Sequence, residues 1–74
     1  MDTKVSINTE FIKLGQLLKL AGLVDSGSDA KMLIADGYAL LNGEVVLERG
    51  KKIYPGDRVE LKTIGSVVVE AENE

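Results

Sequence analysis

The sequence predicts an α+β domain: two N-terminal helices packed on a small, mostly antiparallel β-sheet. Three observations carry this expectation. Apolar residues recur at helical spacing through the first half of the chain, then at a period of two from Tyr38 onward. Gly22 and Gly37 stand where two segments of helical pattern should stop. Two turn signals, Asn42-Gly43 and Pro55-Gly56-Asp57, punctuate short apolar runs in the second half.

The elements follow in order. Residues 3–8, "TKVSIN", alternate weakly, with Val5 and Ile7 on one side, as in a short strand. "NTEFIKLGQLLKLAG" reads as a helix, capped by Asn8 or Thr9, with Glu10 at the positive end of its dipole. Phe11, Leu14, Leu18 and Ala21 share its inward face with Leu17 beside them, so Phe11 is expected in the core. Lys13 and Gln16 lie opposite, Leu20 falls on their side, and Lys19 is expected to point away from Lys13 into solvent. A second helix spans "DSGSDAKMLIADG". Ser26 is its N-cap, Asp29 completes a weak capping box, and Ala30, Leu33 and Ile34 face inward. "YALL-NG-EVVL" is a β-hairpin signal, because a type I′ turn needs positive φ at both central residues. "YPGD" makes a second turn, and "RVELK" then directs Val59 and Leu61 inward. "SVVVE" returns as a further strand. Tyr38 and Tyr54 are expected to pack against the sheet.

A chain of 74 residues makes one domain, residues 1–74, with one small core. Folding at this size buries only about 60% of the unfolded surface. With no cysteine, neither a disulfide nor a Cys-ligated zinc site can reinforce that core. The formal net charge is −3, but its distribution matters more than its total. All nine basic residues lie between Lys4 and Lys62, against eight acids in that span. Asp2 and the closing "EAENE" hold the other four acids. A local basic face is therefore compatible with an acidic chain. Residues 71–74 are expected to form a mobile acidic tail. No signal-peptide pattern and no membrane-length apolar run is present, so the expected location is the cytoplasm.

Enzyme chemistry finds no candidates, and none is expected. The chain has no His for proton transfer near neutral pH, no Cys nucleophile and no Gly-flanked Ser elbow. From Gly43 to Gly50-Lys51 six residues intervene where a phosphate loop has four, and Lys52 stands in the Ser/Thr place. Its carboxylates are scattered, so catalytic, metal and cofactor sites are all expected to be absent.

Four pieces in order carry a family resemblance: "IKLGQLLKLAGL", "SGSDAKMLIADG", "LLNGEVV" and "YPGDRVEL". Residues 11–61 resemble the S-four-type RNA-binding domain, or α-L motif, named for a small-subunit ribosomal protein. "SGSDAK" and "RGKKIYPGD" look closest to its small stand-alone bacterial members, the YaaA-like proteins. The resemblance implies a module that binds structured RNA, ribosomal RNA among the candidates, through two helices and the adjoining hairpin.

Carried over position by position, Lys13 stands where the family has an Arg, and Lys31 matches a basic position of the second helix. With Lys51 and Lys52 in the loop before Ile53, these form the principal expected RNA-binding set. Gln16, Gly27, Asn42 and Arg49 form a second set. Gly15 replaces an Asp of the pattern, Gly27 an Arg, and Glu48 a commonly basic residue. Leu40 takes a place where relatives carry Lys or Arg. With few aromatics, recognition is expected to rest on phosphate and RNA shape. Arg49 is expected to pair with Glu48 or Glu44, and Arg58 to cover a strand edge. Two alternatives stand beside this reading. One is a cytosolic adaptor that docks a protein through Leu20 and Leu40. The other is a β-grasp sulfur carrier, although "EAENE" lacks the terminal Gly-Gly of such carriers.

Overall fold

The computed structural model describes residues 2–72. In chain order the elements are β1 (Asp2–Ile7), β2 (Ile12–Lys13), α1 (Leu14–Leu20), α2 (Gly27–Ala35), β3 (Ala39–Leu41), β4 (Glu44–Val45), β5 (Lys52–Ile53), β6 (Arg58–Leu61) and β7 (Gly65–Ala71). The class is α+β, as expected. The helices do not come first, however: β1 and β2 precede them.

Five strands form one sheet in the order β1-β7-β6-β3-β4. Its pairs are antiparallel except β1 with β7, which run parallel from Asp2↔Ser66 to Ile7↔Ala71. The first and last strands thus lie side by side. Asp2 ties this edge together, accepting hydrogen bonds from the Ser66 hydroxyl and the Arg58 guanidinium. Of residues 71–74, Ala71 ends β7 and the Glu72 N–H donates to the Ile7 carbonyl at 2.7 Å. Asn73 and Glu74 lie outside the described residues.

One core unites the layers. Leu14, Leu17, Leu18, Ala30 and Ile34 from the helices meet Val5, Ile7, Ala39, Val59, Leu61, Val67 and Val69 from the sheet. Both helices end in Schellman geometry: at Gly37, φ is 84°, and the Tyr38 N–H reaches back to the Leu33 carbonyl. Ser26 caps α2, its hydroxyl accepting from the Asp29 N–H at 3.2 Å. The hairpin turn also forms as the sequence predicts, with φ of 50° at Asn42 and 89° at Gly43.

The start of α1 differs from expectation. Its N-cap is Lys13, in extended conformation with no side-chain cap, rather than Asn8 or Thr9. The first free N–H groups are satisfied across space instead. Leu14 donates to the Lys51 carbonyl at 2.9 Å and Gly15 to that of Arg49 at 3.0 Å. The segment ahead of the helix becomes β2, which pairs Ile12 with Ile53 and Lys13 with Lys52 in a separate two-stranded ribbon. Phe11 therefore leaves the helix face assigned to it and lies outside the core cluster.

Candidate nucleic-acid interface

The backbone bonds from Leu14 and Gly15 draw the loop of residues 49–51 over the N-terminal end of α1. Between them opens a cleft of about 350 Å³, lined by Lys13, Gly15, Gln16, Lys19, Gly27, Arg49 and Gly50. Three lining residues are cationic and none is acidic. Glycine shapes it: the stem of Arg49 lies so close over Gly15 that a Cβ there would stand 2.6 Å from Arg49 Cγ. Gly27, at the start of α2, leaves open space on the other wall.

The ion pairs sort the basic residues into two groups. Lys4 pairs with Glu70 at 3.7 Å, and Arg58 with Asp2 and Glu60 at 3.2 and 3.9 Å. All of these lie in the sheet. Among the described residues, Lys13, Lys19, Lys31, Arg49, Lys51, Lys52 and Lys62 have no carboxylate within 4.0 Å. Arg49 thus does not make the expected pair with Glu48 or Glu44. Arg58 does cover a strand edge, and its guanidinium is engaged by Asp2 and Glu60. The pKa of Asp2 is lowered from 3.8, first by the Ser66 hydrogen bond and then by Arg58.

Lys13 and Lys52 sit directly opposite each other in the ribbon. Like charges so placed destabilise a strand pair. Lys52 offsets part of this by resting its Nζ 4.9 Å from the centre of the Phe11 ring.

The expected sites divide accordingly. Lys13, Gln16, Gly27 and Arg49 come together in the cleft, and Lys52 adjoins it through Lys13. Lys51 lies apart, accepting at its carbonyl from α1 and lining a separate depression with Val45, Val46, Leu47 and Glu48. Lys31 is exposed on α2 and does not line the cleft. Asn42 is committed to the fold: its amide donates to Asp57 at 3.1 Å and its oxygen accepts from the Arg58 N–H at 3.0 Å. Leu40 is half-buried in β3, so only Leu20, 63% exposed, remains of the apolar pair assigned to an adaptor.

Lys19 is the residue that sequence reasoning missed. Counting a helix from residue 11 puts Lys19 away from Lys13. With Lys13 extended and the helix beginning at Leu14, that wheel no longer applies. Gln16 and Lys19, three apart, then line one wall. The available signal was the Gln16–Lys19 spacing taken alone.

Fold and cleft together define a class: a small α+β domain that concentrates cations, unpaired among the described residues, along the seam between a helix start and a loop. Residues 5–70 match the family model described as "S4 domain", and the chain belongs to that family. It is 45% identical over 69 residues to a Bacillus subtilis (strain 168) protein described as "Probable ribosome maturation protein RlbA". That match covers 93% of this chain and 97% of the relative. The family assignment takes the place of the sulfur-carrier alternative.

Proposed function

We propose that this protein is a non-enzymatic RNA-binding module of the cytoplasm that engages structured RNA of the ribosome or its precursors. One observation carries the reading. Lys13, Lys19, Arg49 and Lys52 gather on one surface without carboxylate partners among the described residues, two of them in a cross-strand arrangement that costs stability. A surface with such local repulsion is relieved by polyanion binding, which also releases the counterions held by the RNA. Membership of the S4 family and the name of the Bacillus relative support the same direction. Phosphate contacts from the cleft position the RNA and carry no sequence information of their own.

The test is a titration of one hairpin RNA across a series of salt concentrations. Three or four phosphate contacts give log affinity a slope of about −2 to −4 against log salt. Replacing Lys13 and Lys19 together by Glu abolishes binding, whereas Lys62→Glu, in the turn after β6, changes it little. Binding that ignores salt refutes the phosphate cleft. Equal losses from the double change and from Lys62→Glu reduce the effect to bulk charge.

A further inference from the structure

The ribbon that carries Lys13 and Lys52 also carries two aromatic rings. Strand alternation sends Ile12 and Ile53 toward the core, with Ile53 fully buried, and puts Phe11, Lys13, Lys52 and Tyr54 on the opposite face. The side-chain contacts agree. The Phe11 and Tyr54 ring centroids are 5.9 Å apart at an interplanar angle of 52°, and Lys52 Nζ stands over Phe11. Tyr54 is 42% exposed. A domain this small gains from burying every aromatic side chain it has. This one leaves Tyr54 exposed and Phe11 half-buried on the ribbon face that also carries the cleft residue Lys13, and Tyr38 is exposed elsewhere.

The arrangement is also held in place. The tilted contact with Phe11 orients the Tyr54 ring. The Tyr54 backbone is fixed by its N–H, which donates to the Asp57 carboxylate at 2.8 Å. With Lys52 over Phe11, the open aromatic surface is that of Tyr54. Lys13 joins this face to the cleft, since it both pairs with Lys52 and lines the cleft wall.

We propose that Tyr54, buttressed by Phe11, stacks on one unpaired nucleobase while the phosphates beside that nucleotide lie over Lys52, Lys13 and the cleft. The proposal rests on the RNA-binding reading above and narrows it. In a regular A-form duplex the base faces are hidden in the stack, out of reach of a side chain. The preferred ligand is therefore a helix interrupted by a bulged or looped-out nucleotide. Because every base has a π-face, the site selects an unstacked base without selecting its identity.

Two hairpin RNAs test this, one with a fully paired stem and one with a single bulged 2-aminopurine in the same stem. Both are titrated with the whole protein at one salt concentration. The bulged RNA is expected to bind about tenfold more tightly, and the fluorescence of its 2-aminopurine to fall as the base stacks. Tyr54→Ala should bring the bulged RNA to the affinity of the paired one and leave the paired one nearly unchanged. Tyr54→Trp, which keeps an aromatic face, should retain the preference, and thermal unfolding confirms that both variants fold. Equal binding of the two RNAs by the unaltered protein overturns the base site but leaves RNA binding standing. A preference that survives in Tyr54→Ala overturns it as well. Failure to bind either RNA removes both readings.

Discussion

Gly15→Ala tests whether Arg49 acts from the position the structure gives it. The added Cβ would stand 2.6 Å from Arg49 Cγ and 3.2 Å from Cδ, while the Arg49 carbonyl, at 3.6 Å, is in ordinary contact. Carbon atoms pack at about 3.5–4.0 Å, so the Arg49 side chain must retreat by about 1 Å. Its backbone cannot readily follow, because the Gly15 N–H holds the Arg49 carbonyl at 3.0 Å. Arg49 is exposed, so the change is met by rotation of its side chain out of the cleft.

Two small energies oppose each other in stability. Alanine gains up to about 1 kcal/mol over glycine in a helix, and a displaced rotamer costs about 0.5–1.5 kcal/mol. The thermal midpoint should therefore stay within about 5 °C of the parent. RNA binding should respond more. Loss of one phosphate contact lowers affinity by roughly threefold to tenfold and makes the salt slope shallower by about 0.7–0.9. Thermal unfolding and RNA titration at several salt concentrations read the two effects separately. An unchanged salt slope in a folded variant would show that Arg49 contacts no phosphate, and the account of the cleft would fail there.

Two further outcomes follow from the same structure. Gly27→Arg restores a cation at a wall where an added Cβ meets no atom within 4 Å, so RNA affinity should rise by roughly threefold to tenfold with a steeper salt slope and little change in midpoint; a loss of affinity would place this wall outside the RNA path. Asp2 has its folded pKa lowered from 3.8, so its contribution to stability is fully present above that value and is lost as pH falls through the lower folded one. Denaturant midpoints of the parent and of Asp2→Asn should differ by a constant amount near neutral pH and by less in acid, and a difference that does not narrow as pH falls below 3.8 would refute the assignment.

Much of this fold was legible in short-range pattern. The stops at Gly22 and Gly37, the Ser26 cap, the Asn42-Gly43 hairpin and the inward alternation of Val59 and Leu61 all depend on a few neighbouring residues. Such signals survive because local sterics and hydrogen bonding act whatever the rest of the chain does. The family was also legible, through four motifs in order.

Tertiary structure alone decided the rest. A two-residue strand such as β2 or β5 has no period to read, and it exists only because Ile12 finds Ile53 forty-one positions away. That pairing pulls Lys13 out of the helix, turns Phe11 from the core to Tyr54, and sets two lysines face to face. The α1 N–H groups, bonded to the carbonyls of Arg49 and Lys51, then draw the loop into the wall of the cleft and bring Arg49 beside Lys19. Helical periodicity could rank residues around an axis. Where that axis began was set by hydrogen bonds to a distant segment, and the identity of the cleft residues depended on that starting point.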